Sequence, residues 1–431
     1  MPGAADEAEA SLAFASDASD GSGVLNDGTP IARPRLSGTN LVRAADHNQR
    51  VTLHAIRVGG SLTRVELARI TGLTGPAIAN ITRRLLQDGM IEEAGQRRGG
   101  RGQPPTKLVV RHDACNSIGV NVDRDHVSIV LVDFSGRTLA SVSEDVEYAL
   151  PDQVRTLYRR SIKKLLRKAN VEPAKLIGIG VAIPDDLGSV DLPGRPDAYS
   201  EWNSVDVAGL FGDPFALPVF VENDAAAAAI GEMQFGLGQQ NHSFFYILMS
   251  SGLGGGFVVD GNYVRGANGR SGELGFMHAS GDMGSGEPIQ RWVSLSGLAA
   301  HLAADGHPLS AALADDPEPA VADSLERWTT HAATLLATPI EAINCLIDPG
   351  LILLGGRLPA ALLDRLADRI NARMAASRDG SPAVAPVVRA QLAKDAPAVG
   401  AAILPFGHFL LPTPGALWKA GPVDAQAFQS T

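Results

Sequence analysis

The sequence predicts two fold classes in one chain: an N-terminal all-α module closed by a β-hairpin wing, followed by a larger α/β domain. Three observations predict it. Helical periodicity runs from about residue 40 to 89 and gives way to two short strands around a Gly- and Arg-rich stretch. From Ser117 onward, short apolar strands alternate with helical stretches. Charge is also partitioned: residues 33–111 carry +9, residues 1–32 carry six acids and no Lys or Arg, and residues 112–431 carry −13.

Residues 1–37, rich in Ala, Asp, Ser, Gly and Pro without periodicity, are expected to be a disordered acidic tail. The basic module is assigned to 38–111, the α/β domain to 112–412 and a C-terminal tail to 413–431. The first helix covers about Asn40 to Val58, with Leu41, Val42, Val51, Leu53, Ile56 and Val58 apolar, and Gly59-Gly60 stops it. A second helix follows Ser61, with Val65, Leu67, Ala68 and Ile70 apolar, and ends at Thr71-Gly72. Thr74 is the predicted N-cap of a third helix, with Pro76 in the first turn where a missing N–H costs nothing. Its apolar face is Ile78, Ile81, Leu85 and Leu86, and Gly89 closes it. A turn of about four residues joins the second and third helices, the spacing of a helix-turn-helix.

Met90 to Ala94 and Thr106 to Val110 read as strands joined by Gly95 to Pro105, a basic wing in which glycines let the backbone approach phosphate and arginines supply charge. Helix spacing, wing and charge together point to double-stranded DNA as a partner. On the exposed side of the third helix, Thr74, Ala77, Asn80, Arg83 and Arg84 are the candidate contacts, and Arg98 and Arg101 are those of the wing.

The remaining composition excludes several classes. No apolar run reaches the length needed to cross a bilayer, and no basic-then-apolar start marks a secretory signal, so a cytoplasmic protein with no membrane partner is expected. The two cysteines, Cys115 and Cys345, stand far apart with no second ligand at metal spacing, so neither a disulfide framework nor a zinc site is expected of them.

In the α/β domain, strands are expected at Ile118–Val122, Val127–Val132, Leu176–Val181, Val219–Val221, Phe244–Leu248, Gly255–Val259, Leu351–Leu354 and Val387–Ala390. Set among them, in order, are Glu222-Asn223-Asp224-Ala225, the run Ser250-Ser251-Gly252-Leu253-Gly254-Gly255-Gly256, the stretch Gly266 to Gly275, and Asp348-Pro349 with Gly355-Gly356. In this order and spacing they resemble the ROK family of repressors, uncharacterised reading frames and sugar kinases, over about residues 40–412. The resemblance implies a two-lobed, actin-like (ribonuclease-H-like) effector domain with a sugar cleft between the lobes. In the family's kinases the aspartate at the position of Asp224 is the general base toward the sugar hydroxyl that attacks the γ-phosphate. The same groups bind sugar without reaction: Asn223 and Asp224 can pair with vicinal hydroxyls, and Glu273 and Gln290 are further sugar-binding candidates.

The sequence departs from the family's kinases at two places. Their first phosphate loop reads Asp-x-Gly-Gly-Thr-Lys, and here Asn121-Val122-Asp123-Arg124-Asp125-His126 stands in its place, so Asp123 and Asp125 are expected to face a triphosphate with like charge. The second phosphate loop, Ser250 to Gly256, survives. The family's zinc motif is missing: Phe276 replaces its histidine, no cysteine occurs between Gly281 and Gln290, and Gln290 falls where a sugar-binding Glu sits, so no metal and no cofactor are expected. His278 reads as a surface or packing histidine. The expected function is a non-catalytic regulator, a repressor, that binds operator DNA as a homodimer or tetramer and responds to a sugar or sugar derivative, with no catalytic residue. The alternatives are an ATP-dependent sugar kinase with a fused DNA-binding domain, favoured by Asp224 and the second glycine loop, and a DNA-binding protein with a vestigial cleft.

Overall fold

The computed structural model describes residues 41–96, 106–185, 187–189, 195–279, 286–314, 317–376, 384–392 and 395–412. The expected tails at 1–37 and 413–431 lie outside these residues, as do the wing candidates Arg98 and Arg101.

Three helices and a three-stranded antiparallel sheet make up the N-terminal part: α1 (Leu41–Gly59), β1 (Leu62–Thr63), α2 (Arg64–Thr71), α3 (Gly75–Gln87), β2 (Ile91–Gln96) and β3 (Thr106–Val110), with strand order β1-β3-β2. The strand β1 had no signal in the sequence, and it moves the start of α2. Its cap is Thr63: the hydroxyl accepts from the Glu66 N–H and the Glu66 carboxylate accepts from the Thr63 N–H, a reciprocal pair that satisfies two otherwise orphaned donors. Only Leu67 of the predicted apolar set of α2 is buried, whereas Val65 is 76% and Ile70 56% exposed. A helix of eight residues has room for one inward position per turn, so the others face out.

The α/β part holds two five-stranded sheets. The first, in order β6-β5-β4-β7-β8, is built from β4 (Asn116–Val122), β5 (His126–Asp133), β6 (Thr138–Asp145), β7 (Leu176–Ala182) and β8 (Val219–Glu222). Helices α4 (Pro151–Ala169) and α5 (Val207–Gly212) accompany it. The second has the order β11-β10-β9-β12-β13 and consists of β9 (Phe244–Met249), β10 (Leu253–Val259), β11 (Asn262–Tyr263), β12 (Leu351–Gly356) and β13 (Val387–Arg389). Between the sheets in sequence lies α6 (Asp224–Phe235), the second sheet is accompanied by α7 (Leu295–Ala304), α8 (Leu309–Ala312), α9 (Pro319–Ile347) and α10 (Ala360–Ala376), and α11 (Ala396–Phe409) follows β13 in sequence.

The strand β9 reads Phe-Phe-Tyr-Ile-Leu-Met and is buried throughout, as expected of a central strand covered on both faces. The helix α11, rich in Ala and Gly, returns from the second sheet to lie against the first. It approaches so closely that a Cβ on Gly119 of β4 would fall 1.9 Å from the Ala398 carbonyl oxygen, and one on Gly180 of β7 would fall 1.8 Å from that of Ala401. Only glycine fits at these two crossings. One hydrophobic cluster then continues without a break from Leu53, Ile56, Leu67, Ile78 and Leu85 of the N-terminal helices, through Val130, Val132 and Phe134 of the first sheet, to Ile403 and Phe406 of α11.

Polar contacts follow the same path. The Arg50 guanidinium donates to the His408 carbonyl at 2.8 Å. Arg57 bonds the Gln234 side chain and lies 5.0 Å from the centre of the Phe235 ring at the end of α6.

Candidate functional site

In the first sheet β4, β7 and β8 run parallel, and in the second β9 and β12 do. The carboxyl ends of these strands converge on a cleft, the usual place for ligands in such sheets. The cleft has a cavity of about 510 Å³, lined by Asp123 and Arg124 after β4, Asp185 after β7, Asn223 and Asp224 after β8, and Ser250 and Gly252 after β9, with Arg270, Glu273, Phe276 and Gln290 opposite. All four predicted sugar-binding residues, Asn223, Asp224, Glu273 and Gln290, therefore stand around one cavity.

Their chemistry is more constrained than the sequence suggested. Asn223 is the N-cap of α6: its Oδ1 accepts from the N–H groups of Ala225 at 2.9 Å and Ala226 at 3.2 Å, which leaves its amide NH2 to donate to a ligand. Asp224 opens the same helix and is buried. Burial first, and then the Asp123 carboxylate, push its pKa up to about 7. Glu273 is engaged by the Arg270 Nε at 3.2 Å, which also stands 3.8 Å from Asp185. Glu222, beside Asn223, is paired with Arg265.

The segment in place of the first phosphate loop does not present bare like charges, contrary to expectation. Arg357, the residue after β12, reaches across the end of the cleft. Its Nη1 lies 2.5 Å from Asp125 Oδ1 and 3.4 Å from Asp123 Oδ2, and its Nη2 lies 3.1 Å from Asp145 Oδ1. Ser251 completes the cluster, donating its N–H to Asp123 at 3.3 Å and its hydroxyl to Asp125 at 2.5 Å. Burial works against the Arg357 charge, but Asp125 and Asp123 outweigh it and hold the guanidinium pKa above its usual value. At the two phosphate loops Asp123, Asp125, Ser251 and Arg357 are thus paired with each other, a donor set that does not fit a metal-bound triphosphate.

The second glycine run is a hairpin rather than an open loop: Ser250 to Gly252 form the turn between β9 and β10, and Leu253 to Gly256 are in the strand. At the expected zinc position, Phe276 is 52% exposed and His278 is exposed with its backbone bridged to Pro288. A phenyl ring and one outlying imidazole do not make a zinc set. The segment 281–285 lies outside the described residues.

On the N-terminal part, Thr74, Asn80, Arg83 and Arg84 are exposed along one side of α3, and Ala77 is half-buried among them. Thr74 sits at the N-cap position but its side chain makes no cap hydrogen bond. The Arg83 Nη1 donates to Asn80 Oδ1 at 3.2 Å, and Arg84 is 3.9 Å from Asp88. Sequence reasoning missed Arg124, Asp185, Arg270 and Arg357. Arg124 alone carried a signal, since it replaces a glycine of the family's phosphate loop.

A family model described as the ROK family matches residues 117–406. An uncharacterised protein, y4fQ, from Sinorhizobium fredii is 30% identical over 365 residues, covering 83% of this chain and 90% of that protein. The xylose repressor of Bacillus spizizenii is 29% identical over 53% of this chain, and the DNA-binding transcriptional dual regulator NagC of Escherichia coli is 26% identical over 57%. Each of these two matches spans 60% of the relative's length. Among solved structures, a ROK family transcriptional regulator homologous to E. coli MLC aligns with a TM-score of 0.58 at 20% identity, over 84% of this chain and 96% of that one. A ROK family glucokinase from Streptomyces griseus, in complex with glucose and AMPPNP, aligns with a TM-score of 0.52 at 23% identity, over 67% of this chain and 98% of that one. The two lobes, the converging strand ends and the ordered motifs are accounted for together: this chain belongs to the ROK family.

Proposed function

We propose that the chain is a sugar-responsive, DNA-binding transcriptional repressor whose cleft binds a sugar or sugar derivative without phosphorylating it. The observation that carries this reading is the Arg357 cluster: the sugar end of the cleft keeps Asn223, Asp224, Glu273 and Gln290, while at the phosphate end Arg357 ties up Asp123 and Asp125. The helix and strand order of the N-terminal part supports a winged helix-turn-helix, with α3 as the helix that would enter the major groove and Gly95 to Pro105 as the wing. Thr74, Asn80, Arg83 and Arg84 would face the DNA from α3, and Arg98 and Arg101 from the wing. We assign 38–111 to this module and 112–412 to the effector domain. The names of the xylose repressor and of NagC support the same reading. A dimer or tetramer pairing two reading heads fits two half-sites, and a cytoplasmic location follows from the DNA partner. Among the described residues, no helix is long and apolar enough to cross a membrane.

The experiment is binding of the purified chain to DNA from its own upstream region at fixed salt, with and without a panel of sugars and sugar phosphates. Specific binding that one of them releases supports the reading. Specific binding indifferent to all of them would leave a DNA-binding protein with a vestigial cleft. One observation favours a kinase as the second reading, namely the Asp224 carboxyl at about 7 at the head of α6, a value suited to a general base. ATP-dependent phosphorylation of a sugar in the same samples, with no specific DNA binding, would decide for it.

A further inference from the structure

Two arginines line the cleft, and they differ in what holds them. Arg270 is engaged by Glu273 and Asp185. The Arg124 side chain makes no hydrogen bond or ion pair among the described residues; its backbone N–H donates to Asp123 Oδ1 at 2.8 Å and its carbonyl accepts from the Ala149 N–H at 3.0 Å. Its guanidinium lies against the β9–β10 turn, with Nη2, Cζ and Nη1 at 3.1, 3.4 and 3.5 Å from where a Cβ on Gly252 would be. Glycine at 252 is what lets the cation rest there.

The neighbouring carboxylates outnumber the cations, but they already have partners of their own. Asp123 is paired with Arg357 and hydrogen-bonded by Ser251, and Arg270 serves Asp185 and Glu273. Asp224 carries a proton for much of the time near neutrality, because burial and Asp123 raise its pKa to about 7. Among the described residues, what remains on the wall is the guanidinium of Arg124, unpaired and beside the sugar-binding groups. An unpaired guanidinium facing a cleft presents a fork of N–H donors matched to phosphate or carboxylate oxygens.

We propose that Arg124 is the anion-binding residue of the effector site, so that the cleft selects a sugar bearing a phosphate ester or a carboxylate over its neutral parent. The inference rests on the sugar-sensor reading above and narrows its ligand class. The placement is chemically coherent. Asp224 stands where the family's kinases activate the hydroxyl that receives phosphate, and Arg124 stands at a former glycine of the loop that holds the phosphates. A sugar already phosphorylated on that hydroxyl would put its ester between the two, and no nucleotide is needed for it to bind.

The test is calorimetry of the full chain with matched pairs: glucose and glucose 6-phosphate, N-acetylglucosamine and its 6-phosphate, xylose and xylose 5-phosphate, with glucuronate as the carboxylate arm. The expected result is at least one anionic member bound tenfold or more tightly than its neutral parent. Arg124→Ala should erase that preference while retaining neutral-sugar binding, and Arg124→Lys should restore part of it. Whether an ester or glucuronate is preferred separates phosphate from carboxylate. A neutral sugar bound as tightly as its anionic partner, or a preference that survives Arg124→Ala, overturns the proposal and leaves the sensor reading standing. Failure of every member to bind, in a chain that still binds DNA specifically, removes the sensor reading and this inference with it.

Discussion

Arg357→Ala is the substitution that most directly probes the closed phosphate end of the cleft. The Arg357 side chain is 15% exposed, and it faces three carboxylates of unequal burial: Asp123 at 2%, Asp125 at 40% and Asp145 at 79%. The two exposed partners lose little when the cation goes, about 0.5 kcal/mol each or less, because water replaces it. Asp123 is different. It keeps hydrogen bonds from the Ser251 and Arg124 N–H groups but loses the Arg357 guanidinium, and stripping the partner from a buried charge costs about 3 to 5 kcal/mol. Those surviving hydrogen bonds place the expected loss near the lower end, about 3 kcal/mol. Urea unfolding followed by circular dichroism would measure it for Arg357→Ala, for Asp123→Asn and for the double variant. The cycle should show a coupling of about 1.5 kcal/mol or more, since the double variant leaves no bare charge behind. Strict additivity, or an Arg357→Ala loss below about 0.5 kcal/mol, would refute the idea that this cluster ties the two sheets together.

Asp224 should make stability depend on pH. Its folded pKa of about 7 lies above the ordinary 3.8, so ionising it opposes folding, and the penalty accumulates as pH rises from about 4 to 7 and is constant beyond. Asp224→Asn should therefore be more stable than wild type at pH 8, by about 4 kcal/mol at most, with the gain gone below pH 4; thermal melts across that range check it. In the same variant, DNA affinity should persist while the sugar response is lost, read by titrating operator complexes with the sugar that dissociates them. Arg83→Ala, Arg84→Ala, Arg98→Ala and Arg101→Ala should each weaken DNA binding by about 1 kcal/mol or more. Where a phosphate contact is lost, the slope of log K against log salt should become shallower by about 0.9. Unchanged binding by both wing variants would remove the wing from the interface. Thr63→Ala, which breaks the reciprocal cap of α2, should cost about 1 kcal/mol, seen as a lower urea midpoint.

What the sequence made legible follows the range of the interactions concerned. The helices α1 and α3 and the buried strands announced themselves through local periodicity and turn residues, and Asn223, Asp224, Glu273 and Gln290 through ordered motifs. The edge strand β6 did not, because Thr138 to Asp145 has no apolar run longer than Leu139-Ala140 and sets Val142 among Ser, Glu and Asp. The two-residue β1 is defined only by its pairing with Leu108 and Lys107, and it sets the start of α2 at Arg64 rather than directly after Ser61. The ion cluster was hidden for a different reason: Arg357 is more than 200 residues from each of its carboxylates. Read from the sequence, Asp123 and Asp125 could only be two like charges. Asn223 was legible as a polar group facing a ligand, but not as a helix cap whose carbonyl oxygen is already spent.

The hydrophobic cluster that joins Leu67 and Ile78 to Phe406 without a seam has a consequence for how such a protein would meet two half-sites. A head hung on a flexible tether searches for its second site at an effective concentration set by tether length, and tolerates a range of separations. A head rooted in the same interior as α11, and pinned through Arg50 and Arg57, has no such freedom. In any assembly of two copies, the distance and rotational phase between heads are inherited from how the large domains meet. Half-sites displaced by half a helical turn would present the wrong face of the duplex, so the tolerance for operator spacing should be narrow.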